Sequence, residues 1–209
     1  MGTLKGGYHL KDNTRIPSVT TILGRFKNAG PLMHWAWTCG RDGKDYRQER
    51  DTAASIGTQA HDAVEHWIKG EPFAIEHEAA QRSFDAFLEW ANQTQLKVTH
   101  TEVPLVSEQY KFGGTLDAML IRNKRSLGDW KTSNGVYPEY LCQIAAYGIL
   151  WEENFPNEPI EGGYHLMRFD KTYGDFSHRW WAELETAKKS FLLMRDLYDY
   201  DKELTARAK

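Results

Sequence analysis

The chain has 209 residues, 26 Lys/Arg against 29 Asp/Glu for a net charge of −3, and 41% hydrophobic content. That length and composition support one self-sufficient core with accessory elements, and exclude wholesale disorder and a membrane protein. Met1 to Leu10 lacks the apolar stretch of a secretory signal, and two cysteines, Cys39 and Cys142, cannot build a disulfide framework or a four-cysteine zinc or iron–sulfur site, so a reducing cytoplasm is expected.

The charge is unevenly spread. Residues 1–50 hold nine Lys/Arg against four Asp/Glu, a net +5, and the remaining 159 hold 17 against 25, a net −8. Trp35 and Trp37 fall in the basic segment, out of eight tryptophans in all. Basic side chains beside aromatics suit single-stranded nucleic acid, where charges hold phosphates and rings stack on bases. Core tryptophans surrounded by solvated charges would give the same pattern.

In chain order, Pro17 to Leu23 reads as an N-cap leading into a short helix. Gly30-Pro31 is a break, with a new helix starting over Leu32 to Trp37. Residues 40–52 are polar and read as a mobile connector. Ala53 to Lys69 has helical periodicity and stops at Gly70-Glu71-Pro72, and Glu76 to Gln95 is a further helix. Val98 to Val106 reads as a strand. Gln109 to Arg122 reads as a strand with a bulge at Gly113-Gly114, and Arg125 to Thr132 as its hairpin partner across Asn123-Lys124. A helix over Pro138 to Trp151, strands over Gly162 to Phe169 and Tyr173 to Trp180, and a helix over Trp181 to Ala206 complete the chain. The order predicts an α/β fold: a mixed central sheet flanked by helices, with residues 1–52 as a basic helical cover and 53–209 as the core.

Glu102, Asp117, Asp129 and Lys131 gather on the predicted strands. Asp129 and Lys131 are two apart, so both leave one face of a strand, and Asp117 can lie across the hairpin from them. An inward carboxylate needs compensation, for which magnesium, an oxygen-seeking ion that keeps several waters, is suited. The carbonyl of Trp130 can face the same ion while its indole points to the core. A cross-strand ion pair accounts equally for Asp129 and Lys131. Likewise His61 reads as an ordinary helix histidine and Tyr147 as a core residue.

Taken in order, Gly57-Thr58-Gln59-Ala60-His61, Glu102, Gly114-Thr115-Leu116-Asp117, Gly128-Asp129-Trp130-Lys131-Thr132-Ser133 and Gln143-Ile144-Ala145-Ala146-Tyr147 resemble the RecB-type branch of the PD-(D/E)xK nucleases. That branch includes relatives of lambda exonuclease, the CRISPR-associated four-cysteine exonucleases and the mitochondrial genome maintenance exonuclease. The resemblance spans about residues 53–150, with a weaker echo over Ser18 to Leu23. It implies a restriction-endonuclease-like core and Mg²⁺- or Mn²⁺-dependent phosphodiester cleavage. Asp117 and Asp129 match the metal-binding acids, Lys131 the catalytic lysine and His61 the additional metal ligand. Gln143 and Tyr147 match the helix motif that helps hold the substrate strand, with Ser133 beside them, and Glu102 stands where a supporting acid sometimes occurs. No Pro precedes Asp117, the second acid is Asp rather than Glu, and the four-cysteine cluster is absent, so no iron–sulfur cofactor is expected.

The expected activity is a metal-dependent DNA exonuclease of a phage or bacterial cell. It would act on single-stranded DNA ends, or on the ends of double-stranded DNA, in replication, recombination or repair, with Arg25, Lys27 and Trp35 guiding the strand and a replication or recombination protein as partner. A structure-specific endonuclease and a non-catalytic nucleic-acid-binding module are the alternatives. Gly40 to Lys44 is too short for a P-loop, Gln81 stands where a zincin would need its second His, and no Gly-x-Ser-x-Gly elbow occurs.

Overall fold

A computed structural model describes residues 6–121, 124–170 and 172–208. Two short strands, β1 (Tyr8–His9) and β2 (Arg15–Ile16), precede four helices, α1 (Val19–Phe26), α2 (Gly30–Arg41), α3 (Tyr46–Lys69) and α4 (Glu78–Gln93). Strands β3 (Lys97–Ser107), β4 (Phe112–Ile121) and β5 (Arg125–Thr132) follow, then α5 (Pro138–Asn154), β6 (Tyr164–Phe169), β7 (Phe176–Trp181) and α6 (Glu185–Arg207). The large sheet has the order β3-β4-β5-β6-β7 and is antiparallel except where β5 and β6 run parallel, joined by the α5 crossover. The expected mixed sheet between helices is therefore present. Among the described residues no helix is long and apolar enough to cross a membrane.

Two apolar clusters sandwich the sheet. One joins Val19 and Ile22 of α1, Ile144 and Leu150 of α5 and Phe191 of α6 to Met119 and Leu127. The other joins Ala60 and Val64 of α3 and Phe84 and Phe87 of α4 to Leu120, Trp130 and Phe169. Central strand β5 is buried on both faces, which is why its sequence is not a simple alternation of apolar and polar residues.

Local chemistry sets the helix ends. Ser18 Oγ accepts the N–H of Thr21 at 3.0 Å, capping α1. Pro138 opens α5, where no intrahelical N–H is needed. Gly70, with φ of 67°, closes α3 in the left-handed conformation.

Four expectations change. Residues 40–52 are not a connector: α2 runs to Arg41, and after a short turn Asp45 caps α3 by accepting the Arg47 N–H at 2.8 Å. The helix there is held by its cap and by continuity with the buried face further on, which apolar periodicity does not report. The same continuity carries α3 straight through residue 52. Gly113-Gly114 form no bulge, since Val106 pairs with Gly113 and Leu105 with Gly114 in unbroken register; the irregularity lies between Val98 and His100. These glycines instead admit aromatic rings. A Cβ on Gly113 would enter the Tyr8 ring, and one on Gly114 would stand 2.8 Å from Tyr147 Cε1. Residues 108–111 are a turn rather than strand, with Lys111 at φ of 57°. The β1–β2 hairpin, too short for a sequence signal, docks on β4 through Tyr8. The turn expected at Asn123-Lys124 falls partly on residues outside those described.

Candidate metal-binding active site

The rungs between β4 and β5 run from Ile121 opposite Arg125 to Ala118 opposite Gly128. The next pair would be Asp117 and Asp129. There the Asp117 side chain enters the gap, and its Oδ2 accepts the backbone N–H of Trp130 at 3.0 Å. On a strand, one residue's N–H and C=O leave toward the same neighbour, so the Trp130 carbonyl faces this gap too. It meets Nε2 of His61 at 3.1 Å and Nζ of Lys131 at 3.4 Å. Behind it, the Trp130 indole packs edge-on against Phe87, with centroids 5.6 Å apart, and locks the strand.

The carboxylates are buried and under-satisfied. Asp117 is 1% and Asp129 0% exposed. Asp117 Oδ1 and Asp129 Oδ1 have no hydrogen-bond partner. Asp129 Oδ2 has the Lys131 ammonium 2.6 Å away, an ion pair without hydrogen-bond alignment. Burial, only partly offset by Lys131, and the charge of Asp117 raise the Asp129 carboxyl to about 7. Burial alone would lower Lys131, but Asp129 and Asp117 outweigh it and hold the ammonium above the ordinary lysine value. The imidazole of His61 is pushed down, first by burial and also by Lys131, against the opposing pull of Asp117, so it is neutral near pH 7 and able to act as a ligand.

Orphaned buried carboxylate oxygens beside a neutral imidazole and the Trp130 carbonyl fit a hard divalent cation. Asp117, Asp129, the Trp130 carbonyl and His61 are the groups that would hold it. Among the described residues no three His, Cys, Asp or Glu side chains form a ready-made cage. Magnesium tolerates this, being bound by one or two carboxylates with water and substrate phosphate completing its shell.

Glu102 lies opposite Asp117 on β3, between the pairs Thr101–Ala118 and Val103–Leu116. It adopts φ of 50° within the strand, a conformation costly for a non-glycine residue. Burial first, and the Asp117 charge second, raise its carboxyl to about 7. On α5, Gln143 Nε2 donates to Tyr147 Oη at 2.8 Å, and both are buried. Burial and the charges of Asp117 and Asp129 raise the Tyr147 hydroxyl well above its usual value, so it stays protonated. Ser133 turns its hydroxyl to the Gly135 carbonyl at 2.7 Å and so shapes the loop after Lys131.

The remaining expected residues stand apart from this cluster. Arg25 is paired with Asp201 at 2.5 Å and Lys27 with Glu139 at 3.3 Å. Trp35 and Trp37 lie on α2, 36% and 58% exposed, with Arg41 stacked 5.2 Å over the Trp37 ring.

Two contributors went unnoticed in the sequence. Tyr140, whose ring lies 5.7 Å from Lys131 Nζ, shares a face of α5 with Gln143 and Tyr147, a spacing of three and seven that could have revealed it. Arg168 on β6 donates to the Ser133 carbonyl at 2.8 Å and to Asp170 at 2.9 Å, bracing the same loop. Its bond to the Ser133 carbonyl could not be read from the sequence, and Arg168-x-Asp170 alone reads as a surface ion pair.

No protein-family model matches the sequence, and no curated protein matches it. Among solved structures, the fold is similar to an alkaline exonuclease (LHK-Exo) from Laribacter hongkongensis, 17% identical, covering 68% of this chain and 80% of that one, with a TM-score of 0.36. The structure of LHK-Exo in complex with dAMP is 18% identical, covering 77% of this chain and 100% of that one, with a TM-score of 0.33.

Proposed function

We propose that the protein is a Mg²⁺- or Mn²⁺-dependent deoxyribonuclease of the RecB-like PD-(D/E)xK type, degrading DNA from single-stranded ends. The observation that carries this is the gap between β4 and β5, where two buried, under-satisfied aspartates, the Trp130 carbonyl and a neutral His61 converge beside a charged lysine. A bound divalent ion would polarise a scissile phosphate and lower the pKa of a coordinated water. Lys131, kept protonated, counters charge developing on the phosphate oxygens and orients the attacking water. Gln143, protonated Tyr147 and Tyr140 line the α5 side, where they position the strand. Hydrolysis leaves a 5′-phosphate and a 3′-hydroxyl, as the family resemblance implies. Service in replication, recombination or repair belongs to the same reading.

The test is incubation of the protein with end-labelled linear and closed circular DNA, single- and double-stranded, with Mg²⁺, Mn²⁺ or EDTA. Metal-dependent loss of linear substrate is expected, with Lys131→Ala slower by about 10²–10⁴ while still binding DNA. No cleavage of any substrate with either ion would favour the non-catalytic binding module.

A further inference from the structure

The loop that carries the chain from Lys131 into α5 ends in an exposed ring. Tyr137 caps α5 in the extended conformation that a residue before proline adopts, with φ of −115° and ψ of 150°. That backbone role asks nothing of the side chain, yet the Tyr137 residue is 43% exposed. A lone exposed aromatic is ordinary on a protein surface. This one is set apart by how firmly it is seated and by what stands next to it.

The Tyr137 and Tyr140 rings meet edge to face, with centroids 5.5 Å apart and planes at 81°. Gly135 lies against the Tyr137 ring, so that a Cβ there would be 3.6 Å from Cζ and Oη. The loop itself is braced: Ser133 Oγ donates to the Gly135 carbonyl at 2.7 Å, and Arg168 donates to the Ser133 carbonyl at 2.8 Å. On its other side the Tyr140 ring stands 5.7 Å from Nζ of Lys131. Tyr137 is thus a fixed ring, one ring removed from the ammonium of the candidate site. Two rings at right angles leave a corner that a third flat ring can enter, face against one and edge against the other.

We propose that Tyr137 is the stacking platform for the unpaired nucleobase next to the scissile phosphate. The proposal rests on the nuclease reading and deepens it: Lys131 meets the phosphate, and the corner of Tyr140 and Tyr137 takes the base attached to it. A tyrosine has two side-chain torsions, and both are already restrained here, so little freedom is lost on stacking. The platform favours single-stranded ends, because an unpaired base has a face to offer to an aromatic side chain and a base within a duplex is stacked on its neighbours.

The test uses end-labelled linear single strands, natural or with one abasic nucleotide at each of the positions nearest either end in turn. Tyr137→Leu, which keeps an apolar side chain without a ring, should lower kcat/KM on the natural strand by about 5- to 150-fold, the loss of one base–aromatic stack, and through KM more than kcat. Tyr137→Phe and Tyr137→Trp should recover most of that loss. At one position the abasic strand should slow the parent protein by a similar factor and remove the difference between it and Tyr137→Leu. An equal loss on natural and abasic strands at every position, or no loss on the natural strand, overturns the proposal. A parent protein that cleaves none of these strands with Mg²⁺ or Mn²⁺ overturns the nuclease reading instead. The stack is then read from the affinity for the same strands in EDTA, where equal binding of the natural strand by the parent and Tyr137→Leu refutes it.

Discussion

The carboxylate of Asp117 accepts the backbone N–H of Trp130 at 3.0 Å, where the next rung of the β4–β5 ladder would stand. A side chain thus replaces a backbone partner where the β4–β5 pairing ends at Ala118 and Gly128, and the two strands part from there on. The opening frees the Trp130 carbonyl for His61 and brings Asp117 beside Asp129. One hydrogen bond therefore both satisfies the sheet and builds the site.

It follows that Asp117 has separable structural and chemical roles. Asp117→Asn retains an acceptor for the Trp130 N–H, whereas Asp117→Ala leaves that N–H orphaned in the interior, at a cost of about 1–3 kcal/mol. Both variants should reduce metal-dependent cleavage to background. In thermal melts without metal the Asn variant should be the more stable of the two, since both remove the like charge beside Asp129 but only Asn keeps an acceptor for the Trp130 N–H. The reverse order of melting temperatures would contradict the rung-replacement account.

The dependence of stability on pH has an assigned direction. Asp129 and Glu102 are raised in the folded chain from ordinary values of 3.8 and 4.5 to about 7, by burial first in each case. Between about 4 and 7 the folded chain then holds more protons at these sites than the unfolded chain, so their contribution to stability falls as pH rises through that window. Bound Mg²⁺ or Mn²⁺ requires ionised carboxylates, so stabilisation by the ion should grow over the same interval, with proton release on binding. Melting curves at several pH values, with EDTA and with Mn²⁺, should diverge as pH rises; curves separated by a constant amount would show that neither carboxyl is involved.

The acids and lysine of the site were legible in the sequence because a strand has a period of two. Asp129 and Lys131 had to share a face, and the short connection to β4 had to bring Asp117 across. The central sheet was legible for the same reason. The first turns of α3 were not, because a polar, exposed helix whose stability comes from its Asp45 cap and its buried continuation lacks an apolar stripe. Nor was the use of Gly113 and Gly114 apparent, because a glycine needed for a bulge and a glycine needed for a neighbouring ring look identical until the ring is known. Tyr8, and Arg168 in its bond to the Ser133 carbonyl, act through tertiary contacts that no local pattern encodes, whereas Tyr140 is readable from its spacing of three and seven to Gln143 and Tyr147.

His61 should act on metal affinity rather than on the fold. Its partner is a single backbone carbonyl at 3.1 Å, and it is partly exposed. His61→Ala should weaken metal binding by roughly 10–100-fold, with excess Mn²⁺ restoring part of the activity. A metal titration of activity and a melting curve distinguish the alternatives: lower thermal stability with an unchanged metal requirement would make His61 a packing residue.

Gly114 gives a test of α5 as the substrate-side wall. A Cβ there would stand 2.8 Å from the ring of Tyr147 and 3.1 Å from Leu150 and Val19. Gly114→Ala should cost about 1–3 kcal/mol through overpacking, and should displace Tyr147 from Gln143. The steady-state signature expected is a fall in activity larger than that of a surface variant of equal stability. Full activity in the folded Gly114→Ala protein would remove Tyr147 from the strand-holding role.

The last expectation concerns the need for a DNA end. On α2 and the start of α3, Trp35, Trp37, Arg41, Lys44, Tyr46 and Arg47 present rings and cations, with Arg47 stacked 5.8 Å over Tyr46 and Arg41 over Trp37. Such interleaving suits a single strand, with bases on the rings and phosphates on the guanidinium groups. Arg25 and Lys27 can add to it by exchanging their partly exposed partners Asp201 and Glu139 for phosphate, since surface ion pairs hold only weakly. Each phosphate contact should contribute about 0.7 log units to the fall of affinity per log unit of salt. Replacing Trp35, Trp37, Arg41 and Arg47 together should weaken single-strand binding and flatten that slope, while the response to metal in thermal melts stays as in the parent protein. If the strand must be threaded beneath these helices to reach Asp117 and Asp129, linear single-stranded DNA is degraded and a covalently closed circle survives. Rapid cutting of the circle by the pure protein would refute threading and establish the endonuclease reading.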